Sequence, residues 1–257
     1  MGVLDRILEA KRAEIAELCH AALPTAPAET RRVELAREAG GRLHLLAEIK
    51  RRSPSAGALS TRLSVGERAA AYERAGAALV SVLTDAAFFD GSFLHLGEAR
   101  RASSLPILCK DFVVDEVQLD AARAYGADAV LLIVRCLPAE RVAPLVAAAR
   151  SRSLVPLVEV TTAEEARIAV DAGAQHIGVN ARDLDTLEMD RTRADRVLAE
   201  LPRNVVAVHL SGLRDARDVA AVAAGRADAA LIGEALMRRD DPEPLLREMV
   251  AAAGSRS

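Results

Sequence analysis

Aromatic residues, cysteine and long apolar runs are all scarce in this sequence of 257 residues. The three cysteines, Cys19, Cys109 and Cys136, are far apart and form no CxxC pair. That pattern argues against a disulfide-rich secreted scaffold and favours a reducing compartment. No segment approaches the run of about 18 apolar residues that a membrane span needs, and the charged N-terminus lacks the core of a signal peptide. We therefore expect a cytoplasmic protein without a membrane partner.

The net charge is close to zero, at −3, which argues against nucleic acid as a partner. Lysine is the scarce basic residue, because only three of the 34 basic residues are lysine: Lys11, Lys50 and Lys110. Arginine stays protonated in proteins, whereas lysine can release and regain a proton. A lysine retained in an arginine-rich chain therefore indicates a position where proton transfer is useful. Lys11 lies in the first predicted helix and is expected to need no functional explanation.

Eight short β-type runs alternate with helical segments over most of the chain. The runs cover residues 45–49, 79–83, 106–109, 129–134, 154–160, 176–180, 205–210 and 229–232. The helical segments cover residues 65–75, 93–103, 116–125, 138–150, 163–172, 191–201, 215–224 and 243–253. This alternation predicts βαβ units, and eight such units match the size of an α/β protein with the (β/α)₈ TIM-barrel fold. An open doubly wound sheet is the weaker alternative, because no strand is followed by GxGxxG.

We expect a single domain over residues 1–257, with a helical extension at residues 1–41 and the barrel at residues 42–257. An apolar stripe from Val3 to Leu18 recurs at helical spacing and predicts the first helix. Pro24 and Pro27 interrupt that pattern, and a second short helix is predicted at residues 31–38.

Polar side chains follow the predicted strands at the end where active sites of this fold lie. Glu48 and Lys50 share one face of the first strand, because side chains alternate along a strand. Lys110, Glu159 and Asn180 end the third, fifth and sixth strands. The two lysines fit a general acid, which must give and regain a proton. Glu159 fits the partner base, since neighbouring cations should keep its carboxylate ionised.

Loops after the last two strands of such barrels often hold a phosphate through backbone N–H groups. The pairs Ser211-Gly212 and Gly233-Glu234 stand at these positions, and the hydroxyl groups of Ser53 and Ser55 are candidate additional donors.

All four phenylalanines follow the second and third strands, at residues 88, 89, 93 and 112. Phenylalanines near the lysines indicate an apolar wall for an aromatic substrate. Simple anchoring of the loops is the alternative explanation.

Several motifs together resemble those of the indole-3-glycerol-phosphate synthase family. They are AEIKRRSPSAG at 47–57, SVLTD at 81–85, FFDGS at 88–92, PILCKDF at 106–112, GVNARDL at 178–184 and GEALM at 233–237. The resemblance covers nearly the whole chain, including the N-terminal segment LDRILEAKRAEI.

The resemblance implies a carboxy-lyase of tryptophan biosynthesis without a metal or organic cofactor. Its small-molecule phosphosugar substrate would be 1-(2-carboxyphenylamino)-1-deoxyribulose 5-phosphate. Lys110 would protonate the substrate carbonyl, and Glu159 would act as acid and base in the later dehydration. Lys50, placed by Glu48, would hold the substrate and support proton transfer, while Asn180 would orient the substrate hydroxyls and Glu159.

The resemblance also implies contacts along the substrate. Arg182 would meet the carboxylate of the aromatic ring, and Ser211 would complete the catalytic set. Further substrate contacts are expected from Phe89, Phe112, Leu184 and Leu210. Contacts with the phosphate are expected from Ser53, Gly212, Gly233 and Glu234. We expect the protein to act as a monomer.

One strand end departs from the family, because Leu210-Ser211-Gly212 stands where members usually have Glu-Ser-Gly. A diverged paralogue with weak activity or a modified aromatic phosphosugar substrate is therefore an open alternative. His209 is adjacent, but it should face the other side of the strand unless a bulge intervenes. A non-catalytic barrel is disfavoured, since it would have no reason to keep Lys50 and Lys110. A phosphoribosylanthranilate isomerase is also disfavoured, because it would need a Cys–Asp pair at the ends of strands one and five.

Overall fold

Eight parallel strands close into a barrel, which confirms the predicted fold. The structure is a computed structural model that describes residues 2–54, 57–183 and 186–254, so that Ser55 and Leu184 lie outside the described residues. The barrel strands are β1 (His44–Ile49), β4 (Leu79–Leu83), β5 (Ile107–Lys110), β6 (Ala129–Ile133), β7 (Val155–Val160), β8 (His176–Asn180), β9 (Val206–Leu210) and β10 (Ala229–Ile232). β1 closes the barrel by pairing with both β4 and β10.

Helices connect the strands and cover the barrel. They are α1 (Val3–Leu18), α2 (Val65–Arg74), α3 (Ala86–Phe89), α4 (Phe93–Ala102), α5 (Glu116–Ala124), α6 (Ala139–Ser151), α7 (Ala163–Asp171), α8 (Arg191–Glu200), α9 (Ala216–Ala223), α10 (Glu234–Met237) and α11 (Glu243–Ala252). Their starts follow local rules: the Ser64 hydroxyl accepts the N–H of Glu67, and the Glu67 carboxylate accepts the N–H of Ser64 at 2.8 Å. Within the described residues, no helix combines the length and apolarity needed to cross a membrane.

The core has two layers because alternate strand residues face opposite sides of the sheet. Residues such as Val80 and Val130 pack outward against the helices. Residues such as Leu46, Leu108 and Leu157 fill the barrel interior. The inward-facing series continues beyond this apolar layer to the polar side chains at the carboxyl ends of the strands.

The predicted second N-terminal helix is wrong, because the structure has no helix at residues 31–38. Hydrogen bonds to distant parts of the chain hold this segment instead. The N–H of Arg31 donates to Asp128, and the Arg31 guanidinium donates to the carbonyls of Leu105 and Arg100. Leu35 is buried in the interior cluster. These contacts outweigh the weak helical preference of a short segment.

Several short elements of the described residues were not predicted, and they lie in loops after barrel strands; one is a turn of 3-10 helix at Val134–Cys136. A hairpin pairs β2 (Arg52–Ser53) with β3 (Gly57–Ala58), and α3 and α10 are single turns of helix. Each is too short for a periodic pattern to reveal it.

Candidate active site

Glu48 lies at the centre of a charged cluster inside the mouth of the barrel. Its side chain is buried, Oε1 accepts a hydrogen bond from Lys50 Nζ at 2.6 Å, and Oε2 lies 2.9 Å from Lys110 Nζ. Burial alone would raise the pKa of Glu48, but the charges of Lys110 and Lys50 outweigh it and lower the pKa to about 2. Glu48 is therefore a permanent anion that holds two ammonium groups in place.

Lys110 stays protonated in this setting. Burial favours the neutral amine, but the negative charges of Glu48 and Glu159 outweigh it and raise the pKa of Lys110 above its ordinary value. A group with this pKa is a proton donor at neutral pH rather than a base, as a general acid must be.

Glu159 has a different environment from the one expected. Burial raises the pKa of the Glu159 carboxyl, and this effect outweighs the attraction of Lys110 and the hydrogen bond from Asn180. The sequence-based reasoning considered only the neighbouring cations, whereas desolvation has the larger effect on the pKa of this carboxyl group. Glu159 can therefore carry a proton closer to neutral pH than an ordinary glutamate.

Asn180 connects Glu159 to the loop after β9. Its Nδ2 donates to Glu159 Oε1 at 2.8 Å, while its Oδ1 accepts the Arg182 N–H at 2.9 Å and the Ser211 hydroxyl at 2.7 Å. The backbone donor from Arg182 fixes which end of the amide faces Glu159. Ser211 and Gly212 both have positive φ, at 76° and 86°, so that the chain turns sharply at the barrel mouth.

Two adjoining cavities meet at this cluster. The larger has a volume of about 900 Å³, and the smaller about 110 Å³. Both are lined by Lys50, Lys110, Arg182 and Ser211. A molecule that occupied both cavities would therefore pass directly over the two lysines.

The larger cavity is polar and cationic. Gly212, Gly233 and Glu234 line it, as do the arginines Arg191, Arg214, Arg238 and Arg239. Gly233 leaves no room for a side chain, because a Cβ there would overlap Glu48 Oε1. The Glu234 carboxylate already accepts from Arg238 at 2.8 Å, so its backbone is the part of Glu234 suited to an anion.

The smaller cavity is mainly apolar. Phe89 and Phe112 line it with ring centroids 6.1 Å apart, and Val3, Leu4 and Ile7 of α1 close it. Glu159 and Asn180 also reach this cavity. Its walls suit a flat aromatic ring, with acid–base groups beside it.

Comparison with known proteins identifies the family. A sequence profile described as "Indole-3-glycerol phosphate synthase" matches residues 4–249. The chain belongs to the indole-3-glycerol phosphate synthase family. Members of this family are carboxy-lyases of tryptophan biosynthesis that act on a small phosphosugar-type molecule.

Curated relatives with this name agree over nearly the full chain. Proteins named indole-3-glycerol phosphate synthase from Mycobacterium leprae and Rhodococcus opacus are 43% and 42% identical. The first match covers 97% of this chain and 94% of the relative, and the second covers 98% and 96%. "Indole-3-glycerol phosphate synthase 1" from Streptomyces coelicolor is 43% identical, with coverage of 98% and 96%.

Solved structures of more distant proteins share only the fold. A thiamine phosphate pyrophosphorylase from Pyrococcus furiosus superposes with a TM-score of 0.62, over 82% of this chain and 95% of its own. A 3-hexulose-6-phosphate synthase gives a TM-score of 0.65, over 82% and 99%. Both are 18% identical to this chain.

Leu210, where the resemblance implies a glutamate, is a buried residue of the barrel interior. Pairing between β8 and β9 runs without a bulge from Gly178↔Val208 to Asn180↔Leu210. Leu210 therefore points into the barrel, where a Cβ on Gly178 would lie 2.6 Å from Leu210 Cδ1. His209 is buried on the other face, near the charges of Asp195 and Arg191 of α8, and does not replace the missing carboxylate.

Two other predicted residues, Ser53 and Phe93, do not lie where the sequence analysis expected them. Ser53 lines the smaller cavity with Phe89 and Phe112, apart from Gly212 and Gly233 in the larger one. Phe93 does not reach the barrel mouth but stacks on Tyr125, with centroids 5.8 Å apart, against the outer core. The aromatic wall therefore consists of the phenylalanines after β4 and β5, without Phe93.

Sequence reasoning missed Lys11, which is fully buried and paired with carboxylates beside the smaller cavity. The scarcity of lysine in the sequence was the available signal, because all three lysines are found at one end of the barrel. The arginines of the larger cavity gave no signal, because arginine is abundant everywhere in this chain.

Proposed function

We propose that this protein closes the indole ring of 1-(2-carboxyphenylamino)-1-deoxyribulose 5-phosphate, releasing CO₂ and water to give indole-3-glycerol phosphate. The observation that carries the proposal is the position of Lys110, held by Glu48 at the junction of an apolar and a cationic cavity. The substrate has the same two-part chemistry, with an aromatic ring at one end and a phosphate at the other.

The substrate would lie across both cavities. Its ring would pack against Phe89 and Phe112, and its phosphate would meet the backbone of Gly212 and Gly233. Arg182 lines both cavities, and its guanidinium is held by the carbonyl of Leu187 at 3.0 Å. This position suits the ring carboxylate, and a substrate bound in this way would have its carbonyl near Lys110.

Ring closure would use Lys110 as the acid. The ring carbon that bears the carboxylate attacks the carbonyl carbon of the sugar chain, and Lys110 gives its proton to the carbonyl oxygen. The carboxylate then leaves as CO₂, and the electron pair of the broken bond restores the aromatic ring. The raised pKa of Lys110 supports this role, because the amine holds its proton until negative charge develops on that oxygen.

Dehydration would use Glu159. A protonated Glu159 gives its proton to the leaving hydroxyl group, and its carboxylate then takes a proton from the carbon beside the ring nitrogen. One proton from solvent returns Lys110 to its charged form, which balances the loss of the carboxylate as CO₂. The raised pKa of Glu159 and the hydrogen bond from Asn180 support this assignment.

The test is turnover by the purified protein, followed by the absorbance and fluorescence of the indole product. We expect product at a rate well above that without enzyme, and a loss of it in Lys110→Met, which keeps the length of the side chain but has no proton to give. A folded wild-type protein that forms no product would contradict the proposal and favour a diverged paralogue with another aromatic phosphosugar substrate.

We infer further that the enzyme is a single-domain cytoplasmic monomer that uses neither metal nor organic cofactor and binds no nucleic acid. Each proton transfer above has a side chain to perform it, and the near-neutral charge supports a small-molecule partner. Of the large apolar side chains in the described residues, only Leu94 and Met189 are exposed, which supports a monomer. Light scattering after gel filtration measures the oligomeric state directly.

A further inference from the structure

Lys11 on α1 lies in a buried cluster of charges beside the smaller cavity. Its Nζ lies 2.6 Å from Asp111 Oδ1, 2.7 Å from Glu14 Oε2 and 3.0 Å from Asp85 Oδ2. The side chains of Lys11, Asp85 and Asp111 are at most 1% exposed. A surface lysine on a helix has no such environment, so the position needs a specific explanation.

Each of the two buried aspartates in this cluster is also bonded to backbone that shapes the smaller cavity. Asp111 Oδ1 accepts the N–H of Phe112 at 2.7 Å. Asp85 Oδ1 accepts the N–H of Phe88 at 2.7 Å and thereby caps α3. One ammonium group consequently joins α1, the start of α3 and the end of β5.

These three segments supply walls of the smaller cavity and one of its catalytic groups. α1 contributes Leu4 and Ile7, α3 contributes Phe89, and the residues on either side of Asp111 are Lys110 and Phe112. A shift of Asp111 would therefore move the proton donor and an aromatic wall together.

The charge balance makes Lys11 hard to replace. Burial disfavours the ammonium, but Asp111, Asp85 and Glu14 outweigh it and raise the pKa of Lys11, so the group stays charged. Without it, two buried carboxylates would face each other with no ammonium between them, and the segments that carry them would separate or admit water.

We propose that Lys11 is a positioning residue of the active site, whose buried ammonium holds α1 over the smaller cavity and fixes the end of β5 that carries Lys110 and Phe112. The inference rests on the proposed function for its kinetic readout. Lysine suits the position better than arginine, because three separate carboxylate oxygens surround one compact ammonium in an enclosed space.

The test compares Lys11→Met with Arg12→Met, which removes a cation from the adjacent exposed position of the same helix. Steady-state kinetics gives kcat and KM, and two fragments probe the two cavities separately as competitive inhibitors. Anthranilate carries the ring and carboxylate expected in the smaller cavity, and inorganic phosphate represents the group expected in the larger one.

For Lys11→Met we expect KM and the inhibition constant of anthranilate to rise roughly tenfold, and kcat to fall by a similar factor. The inhibition constant of phosphate should stay within about twofold of the wild type, since Lys11 does not reach the larger cavity. Arg12→Met should leave all four constants unchanged. A Lys11→Arg variant keeps the charge and should fall between the wild type and Lys11→Met.

Two results would overturn the inference: unchanged anthranilate binding and kinetics in Lys11→Met, or equal weakening of both fragments, which would indicate general destabilisation. If Lys11→Met does not fold, the same comparison of the two fragments in Lys11→Arg decides the inference in the same way. If the wild type has no turnover, the proposed function fails. Calorimetric binding of the two fragments then still decides the role of Lys11.

Discussion

Replacement of Glu48 by glutamine tests the electrostatic design of the site most directly. The change keeps the size of the side chain and removes the charge that holds Lys50 and Lys110. The pKa of Glu48 falls from an ordinary 4.5 to about 2 in the folded protein. At about 1.4 kcal/mol for each pKa unit, the ionised carboxylate stabilises the fold by about 3 kcal/mol at neutral pH.

The pH dependence of this effect has a definite sign. A carboxyl group whose pKa is lowered by folding contributes its full stability above its unfolded pKa, and loses it as the pH falls toward the folded pKa. The difference in unfolding free energy between wild type and Glu48→Gln should be about 3 kcal/mol at pH 7 and about 1 kcal/mol at pH 3. Urea denaturation at a series of pH values measures it, with Glu17→Gln, an exposed glutamate on α1, as the matched control.

The same substitution should change the reaction itself. Glu48 is the foremost of the charges that raise the pKa of Lys110, so its loss should lower that pKa and move the basic limb of the kcat profile down by about one pH unit or more. A pH profile in which kcat is lower but the basic limb keeps its position would refute the reasoning. It would show that Glu48 supports the fold without controlling the proton on Lys110.

Two further substitutions test single residues. Lys110→Arg keeps the positive charge but cannot transfer a proton, so kcat should fall by about 10² or more; a rate near that of the wild type, measured on the purified variant, would contradict the role of Lys110 as the acid. Leu210→Glu restores the usual family residue, and activity with the expected substrate should stay the same or rise. A clear loss of product formation in a folded Leu210→Glu protein would mean that the leucine serves a different substrate or product.

The barrel could be predicted from the sequence because the alternation of strand and helix patterns repeats along the chain. Each strand is a short apolar run bounded by turn residues, and the helices begin with local caps such as Ser64 and Glu67, so the local and global preferences agree. Residues 31–38 escaped this reasoning because their conformation depends on partners far along the chain. The guanidinium of Arg31 donates to the carbonyls of Leu105 and Arg100, which lie 74 and 69 positions away in the sequence.

The charged centre of the site was also accessible from the sequence, since strand direction brings Glu48, Lys50 and Lys110 to one end of the barrel. The direction of the pKa shift of Glu159 could not be predicted from the sequence. Its pKa depends on the balance between desolvation and nearby charge, and two effects of opposite sign need distances and burial before their sum has a direction. Ser53 belongs to the hairpin after β1 and lines the smaller cavity. No periodic sequence pattern predicts that hairpin.

The scarcity of lysine acquires a fuller physical meaning at the barrel mouth. In the proposed mechanism Lys110 gives and regains a proton, which an arginine cannot do. Lys11 does not have to release its proton, since three carboxylates keep it charged, but its position requires a compact cation that fits among them. Lys50 shares Glu48 with Lys110, so its ammonium also helps to set the charge that Lys110 experiences. We therefore expect arginine to be a poor substitute at the two positions for different reasons: a guanidinium would not release its proton at Lys110 and would be too large for the enclosed space at Lys11.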